Sequence, residues 1–96
     1  TMLCLKKIAP TRLIKNNLYA KVSEAEDRGA SADELRELLG KAASKRGIFE
    51  GDIESGELEI GQIASAIKEI KPAGEQIARL VSEYEAARQR IAASSL

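Results

Sequence analysis

The sequence predicts a mainly α-helical chain of about four helices, with a short strand near the N-terminus. Residues that favour helix, namely Ala, Leu, Glu, Lys and Arg, are abundant, and only 3% of the residues are aromatic. Apolar residues also recur at spacings of three and four, which is the period of an amphipathic helix. A chain of 96 residues is enough for one small domain, whose core would be aliphatic.

Residues 1–14 are predicted to form a short strand and a loop. Met2 to Leu5 form an apolar stretch that suits a strand, and Pro10 ends any regular element before it. The next stretch, Thr11 to Asn17, is ambiguous, because it suits either an immediate helix start or a continuing loop.

Two helices are predicted within residues 15–46. The first runs from about Asn16 to Arg28, and Gly29 follows it at the position of a left-handed cap. The second begins at Ser31, which forms a capping box with Glu34: each side chain can bond the backbone amide of the other residue.

The end of this second helix is left open by the sequence. Gly40 interrupts its pattern and weakens a helix by about 1 kcal/mol relative to Ala. The helix therefore ends at Gly40 or runs on to Arg46, before Gly47.

The most informative stretch is an acidic loop over residues 47–61. Glycine there indicates a turn or a close approach of the backbone to another group. A calcium loop is disfavoured, because neither register, from Glu50 or from Asp52, puts glycine at the turn position. The glycines also match no dinucleotide or phosphate loop. Ordinary turns are one interpretation, and the sharper one is that Gly61 and Gln62 lie beside a ligand. The loop contains four glycines: Gly47, Gly51, Gly56 and Gly61.

Two further helices are predicted over residues 62–93, separated by Pro72, which suits the first turn of a helix. Each carries an apolar stripe, and the first stripe is expected to pack in the core, with a partner helix as the alternative. The first stripe comprises Ile60, Ile63, Ile67 and Ile70, and the second comprises Ile77, Leu80, Val81, Tyr84 and Ile91.

Composition excludes several classes of function. Fifteen basic and fifteen acidic residues cancel, which argues against nucleic-acid binding. The sequence contains no histidine, so Ser-His and Cys-His dyads are excluded, and with a single cysteine so are the usual zinc sites. Cys4 is expected to be a buried, inert thiol. Because no apolar run approaches about 20 residues and no signal peptide is visible, we expect a cytoplasmic protein that does not bind membranes.

Several motifs occur in the order found in one enzyme family. They are Pro10-x-Arg12-x-x-x-Asn16, then Arg46-Gly-Ile-Phe-Glu-Gly-Asp52, then Gly56, and finally Gly61-Gln62. In this order the chain resembles the flavin-dependent nitronate monooxygenases (the 2-nitropropane dioxygenase-like family) and the related flavin-dependent enoyl-acyl-carrier-protein reductases. The resemblance covers nearly the whole chain. Ile60 stands where many members have alanine.

The resemblance implies that the chain is a single C-terminal fragment, 1–96, of a larger oxidoreductase. Members of the family are (β/α)₈ barrels that hold flavin mononucleotide (FMN), and such a barrel takes about 250 residues. By resemblance, Gly61 and Gln62 are the cofactor-binding candidates near the barrel mouth, and Asp52 and Gly56 shape the same loop. Many members have a small or hydroxyl residue at the position of Glu57, which argues against a flavin contact there.

The parent enzyme would oxidise nitronates or reduce an enoyl thioester, and this chain alone is expected to be inactive, with no catalytic residue and no metal of its own. Its expected partners are the missing barrel portion and a second copy bound through apolar helix faces. The alternative function is a freestanding helical module for protein interaction or oligomerisation.

Overall fold

The computed structural model describes residues 1–94, and confirms a mainly helical chain with a short strand at its N-terminus. Residues 95 and 96 of the predicted 1–96 fragment lie outside the described part. The elements in chain order are β1 (Met2–Cys4), β2 (Thr11–Leu13), α1 (Asn17–Asp27), α2 (Ala32–Leu39), α3 (Ala43–Ile48), a 3₁₀ helix (Gln62–Ala66) and α4 (Ala73–Ala92).

The two strands form an antiparallel hairpin in which Met2 pairs with Leu13 and Cys4 pairs with Thr11. The turn between them starts at Leu5, which adopts a left-handed conformation with φ 57°. Burial of the Leu5 side chain, only 2% exposed, offsets the cost of about 1–2 kcal/mol for that conformation. The stretch that the sequence left ambiguous is therefore a strand first, and the helix starts only at Asn17.

The end of the acidic loop runs alongside β2 and is hydrogen-bonded to it. The Ile14 amide donates to the Leu58 carbonyl at 3.0 Å, and the Ile60 amide donates to the Arg12 carbonyl at 3.0 Å. Leu13 and Glu59 form a bridge between these two bonds. The loop is thus fixed to the hairpin over its last residues.

The predicted caps of α1 and α2 are largely confirmed. Gly29 has φ 80°, and the Ala30 amide reaches the Ala25 carbonyl at 3.0 Å, which closes a Schellman motif. The Ser31 hydroxyl accepts from the Glu34 amide at 3.2 Å, as expected. The Glu34 carboxylate lies 3.5 Å from the Ser31 hydroxyl and does not bond the Ser31 amide. Only one of the two hydrogen bonds of the capping box is therefore formed.

The prediction of two helices within 15–46 and a loop from Gly47 is wrong, because a third helix intervenes. α2 ends at Leu39 with Gly40 at φ 68°, and α3 then runs through Gly47 to Ile48. The Arg46 guanidinium donates to the Lys41 carbonyl at 2.6 Å. It thereby satisfies a carbonyl between the two helices, where no regular helical bond is made.

Gly47 belongs in a helix because another glycine lies against it. A Cβ built on Gly56 would come within 2.5 Å of both the Gly47 amide nitrogen and the Asp52 carbonyl oxygen. A Cβ on Gly47 would meet the Glu57 carbonyl at 2.7 Å. This backbone-to-backbone contact outweighs the low helix propensity of glycine.

The core lies between the hairpin, α1 and α2, and it is aliphatic as predicted. Ile8, Tyr19, Leu38 and Leu39 pack against it and are partly buried. The buried apolar residues are Cys4, Leu5, Leu13, Leu18, Val22, Ala25, Ala30, Leu35 and Ala43.

The prediction of two helices over 62–93 is half wrong. Only Ile63 of the isoleucine stripe lies in the 3₁₀ helix, and residues 67–72 have no regular secondary structure. Ile63, Ile67 and Ile70 are 74%, 55% and 103% exposed, so the expected core packing is absent within the described residues. An isolated helix this short is marginal in water, because helices gain most of their stability by packing an apolar face.

α4 projects from the rest of the molecule. Although all of Ala73–Ala92 is described, none of these residues is buried. The radius of gyration is 18.0 Å, against about 12–13 Å for a compact domain of this length. The second apolar stripe is therefore uncovered within the described residues. Among residues 1–94, no helix is long and apolar enough to cross a membrane.

Replacing Gly56 with alanine should lower the free energy of unfolding by about 2–3 kcal/mol, because the new methyl group overlaps backbone that has no room to move. Chemical denaturation followed by circular dichroism measures this. Gly61→Ala is the matched control: a Cβ there meets nothing within 4 Å, so stability should change by less than about 0.5 kcal/mol. Equal effects of the two substitutions would contradict the close glycine contact.

Candidate functional site

The carboxamide of Asn16 joins the start of α1 to the acidic loop. We call this set of hydrogen bonds the Asn16 junction. Its oxygen accepts from the Tyr19 amide at 3.0 Å and so caps the start of α1. Its nitrogen donates to the carbonyls of Ile53 at 3.0 Å and Gly56 at 2.9 Å. One side chain therefore positions both the helix start and the acidic loop, across up to 40 residues of sequence.

The acidic loop is held in shape by its own Asp52. The Asp52 carboxylate accepts from the amides of Glu54 and Ser55 at 3.2 and 2.9 Å, and the Gly56 amide bonds the Asp52 carbonyl at 3.0 Å. The prediction that Asp52 and Gly56 shape this loop agrees with these bonds. The Asp52 carboxylate thus organises backbone, as in an Asx turn.

The loop is also tied to α1 from outside. The Asn17 amide donates to the Glu54 carbonyl at 3.1 Å, and the Asn17 side chain donates to the Glu54 carboxylate at 3.1 Å. On the other side, the Glu57 amide donates to the Ala43 carbonyl at 3.0 Å, which links the loop to α3. The loop is therefore a fixed part of the body of the protein.

Glu57 is a buried carboxyl group that no sequence pattern predicts. Its residue is 9% exposed, and its side chain approaches the Ser44 hydroxyl at 3.2 Å. Ser44 also lies 3.3 Å from the carboxylate of Glu59, and its single proton can serve only one of them at full strength. Burial raises the pKa of Glu57, the neighbouring Glu59 raises it further, and the Ser44 hydrogen bond opposes both.

Gly61 and Gln62 lie at the surface, directly after the last residue fixed to the hairpin. Gly61 has an extended backbone, φ −85°, and Gln62 begins the 3₁₀ helix. Both are exposed, and within residues 1–94 the side-chain amide of Gln62 makes no hydrogen bond. Neither residue takes part in the Asn16 junction. The hydrogen bond from the Ile60 amide to the Arg12 carbonyl fixes the position of the backbone directly before them.

A separate cleft of about 440 Å³ lies between the hairpin and α1, away from Gly61 and Gln62. At its base the Cys4 thiol donates to the Thr11 carbonyl at 3.6 Å. Burial, reinforced by the charges of Glu26 and Glu57, raises the pKa of Cys4 to about 11, so the thiol is protonated and inert at neutral pH. The residues lining the cleft are Met2, Leu3, Cys4, Lys6, Lys7, Tyr19, Ser23, Glu26 and Asp27.

Neither a model of a known protein family nor a curated protein matches this sequence. The flavoprotein resemblance therefore rests on the ordered motifs alone. The geometry adds that Asn16 bonds the Gly56 carbonyl and that the Gly56 amide bonds the Asp52 carbonyl, so residues of different motifs are linked by hydrogen bonds. Gly61 and Gln62 follow that junction on the exposed side of the molecule.

Replacing Asn16 with aspartate should lower the free energy of unfolding by about 2 kcal/mol or more. Aspartate keeps the helix cap but loses both donors and sets a negative charge against the carbonyls of Ile53 and Gly56. Urea unfolding measures the change. Asn17→Ala, which removes one exposed side-chain bond, is the control and should cost less than about 1 kcal/mol. The Asn16 junction is refuted if Asn16→Asp is as stable as the wild type.

The stability of the protein should depend on the ionisation of Glu57. Because its pKa is raised on folding, the folded state holds this proton more tightly than the unfolded chain. The contribution of Glu57 to stability is therefore fully present below the ordinary carboxyl pKa, and is lost as the pH rises through the raised pKa.

Glu57→Gln should remove this loss and raise the melting temperature at neutral pH relative to the wild type. Melting curves recorded from acidic to neutral pH measure the effect. Glu37→Gln, at an exposed position on α2, should keep the wild-type pH dependence. If the Glu57 and Glu37 variants follow the same pH profile, the raised pKa of Glu57 is wrong.

Proposed function

We propose that this chain is the C-terminal helical segment of an FMN-dependent oxidoreductase of the nitronate monooxygenase or enoyl-acyl-carrier-protein reductase type. The observation that carries the proposal is the Asn16 junction. Asn16 of the first motif bonds the Gly56 carbonyl 40 residues away, and the Gly56 amide bonds the carbonyl of Asp52, the last residue of the second motif. The motifs therefore occur together for a structural reason. This favours a true family relationship over a chance similarity of the motifs.

In this proposal Gly61 and Gln62 form part of the rim of the flavin pocket. The bare Gly61 backbone leaves space for an approaching ring, since even a Cβ there would meet nothing within 4 Å. The Gln62 amide offers a donor and an acceptor to a polar edge. These properties fit a rim contact, while the enclosing walls and the phosphate site would come from the remaining barrel.

Catalysis would depend on the complete parent. FMN, when bound, supplies the redox chemistry, and the protein orients the cofactor and the substrate. This chain offers few groups for proton transfer at neutral pH: its sequence has no histidine, and its thiol has a pKa of about 11. We therefore propose that it is inactive alone and that it positions the flavin for a nitronate or an enoyl thioester in a cytoplasmic enzyme.

A second candidate function is a freestanding helical module for protein interaction or oligomerisation. The observation in its favour is α4, whose Leu80 and Tyr84 are 64% and 63% exposed. Exposed apolar faces of this kind mark interaction sites. In the flavoprotein proposal the missing barrel portion would cover part of this surface.

Flavin absorbance in protein purified from its complete gene separates the two candidates. The flavoprotein proposal expects a longer chain, seen by intact mass, that carries FMN released on denaturation. A colourless chain of 96 residues that folds cooperatively would overturn it and favour the interaction module.

Within a complete parent, Gln62→Ala should weaken FMN binding or slow turnover by about tenfold, the loss of one hydrogen bond worth about 1 kcal/mol or somewhat more. Fluorescence titration with FMN and steady-state kinetics measure both quantities. Gln89→Ala, at an exposed position on α4, is the matched control and should leave both unchanged. If Gln62→Ala also has no effect, the flavin rim does not lie at this residue.

A further inference from the structure

We propose that α4 pairs antiparallel with α4 of a second copy of this chain. The proposal goes beyond the flavin chemistry and does not depend on it, because it concerns only the helix Ala73–Ala92. Three observations carry it: a repeat of apolar residues, the sizes of those residues, and two charges beside them.

The apolar face of α4 follows a seven-residue repeat. Ile77, Tyr84 and Ile91 lie seven residues apart, and Leu80 and Ala87 fall between them at alternating spacings of three and four. This is the pattern of the first and fourth positions of a coiled coil. Ile77 and Ile91 are 61% and 73% exposed, so the seam is open along the helix.

Residue sizes favour the antiparallel direction. With two helices antiparallel about a two-fold axis, Tyr84 can lie opposite Ala87 of the second copy, and Leu80 opposite Ile91 of the second copy. A parallel pair would place Tyr84 against Tyr84 and Ala87 against Ala87. Close packing without voids favours a large side chain opposite a small one, and of these two arrangements only the antiparallel register provides this match for Tyr84 and Ala87.

Charges beside the seam favour the same register. Glu83 and Arg90 lie on the same flank of the repeat, seven residues apart. In the antiparallel register Glu83 faces Arg90 of the second copy, and the two-fold axis makes this pair twice. Within one chain Glu83 already bonds Arg79 at 2.9 Å, whereas Arg90 has no ion pair among residues 1–94. Such flanking pairs select partner and direction more than they add affinity.

The first test is the mass of the 96-residue chain in solution, measured by sedimentation equilibrium over a range of concentrations. We expect a reversible dimer of twice the 10.4 kDa chain mass. A monomer at every concentration would overturn the proposal and leave the remaining barrel as the occupant of this face. Assemblies larger than a dimer would overturn it too, because a two-fold pair is closed.

The second test uses charge reversal. Glu83→Arg should weaken dimerisation about tenfold, because it replaces two attractive pairs with two repulsive ones, and the double variant Glu83→Arg with Arg90→Glu should restore it. Arg79→Glu is the matched control: it breaks the same pair within the helix but lies off the seam, so dimerisation should stay within about threefold of the wild type. Circular dichroism verifies that each variant keeps α4 helical.

Rescue decides the direction of pairing. A parallel coiled coil would place Glu83 beside Arg88 of the second copy. Rescue of Glu83→Arg by Arg88→Glu, and not by Arg90→Glu, would therefore overturn the antiparallel arrangement. An unaffected dimer in Glu83→Arg would equally show that association uses another surface.

Discussion

The fold depends on one carboxamide. Asn16 offers its oxygen to the start of α1 and its nitrogen to the carbonyls of Ile53 and Gly56. Both carbonyls belong to a loop that supplies no regular hydrogen-bond ladder of its own at that point, so the amide satisfies groups that would otherwise need water or another partner. Aspartate or serine would cap the helix equally well. Asparagine suits this position best, because its carboxamide can donate two hydrogen bonds while its oxygen accepts one at the start of the helix.

Around this junction the molecule divides into a packed body and a projecting arm. The body holds the hairpin, α1, α2, α3 and the fixed loop, and its nine buried apolar residues are all aliphatic or cysteine. The arm begins after Ile60 and carries both exposed apolar stripes. The candidate flavin residues Gly61 and Gln62 lie at the boundary, where both are exposed and follow directly on Ile60, whose amide is bonded to Arg12. A rigid base with an open edge suits residues that complete a pocket formed elsewhere.

Sequence reasoning succeeded where the signal is local. Ser31 and Gly29 mark helix ends through bonds to residues within a turn or so, and the structure has both. It failed where the partner is distant. β2 is a strand of three residues that depends on its neighbours, and α3 continues through Gly47 because Gly56 lies against it.

The errors at the candidate site have the same origin. The Ile63, Ile67 and Ile70 spacing indicates an apolar face but says nothing about whether a partner exists to bury it. The burial of Glu57 depends on α3 and its Ser44, which no spacing in the sequence reveals. The exposure of Gly61 and Gln62 likewise depends on where the arm leaves the body.

The separation between Asn16 and Gly56 also has a kinetic meaning. Their bond spans 40 residues, and closing a flexible loop of that length costs about 3 kcal/mol of chain entropy. The α1–α2 pair, by contrast, is joined by a short turn and can assemble early without that cost. The Asn16 carboxamide is therefore expected to gain its loop partners after α1 and α2 have paired, because only the longer closure carries this entropic cost.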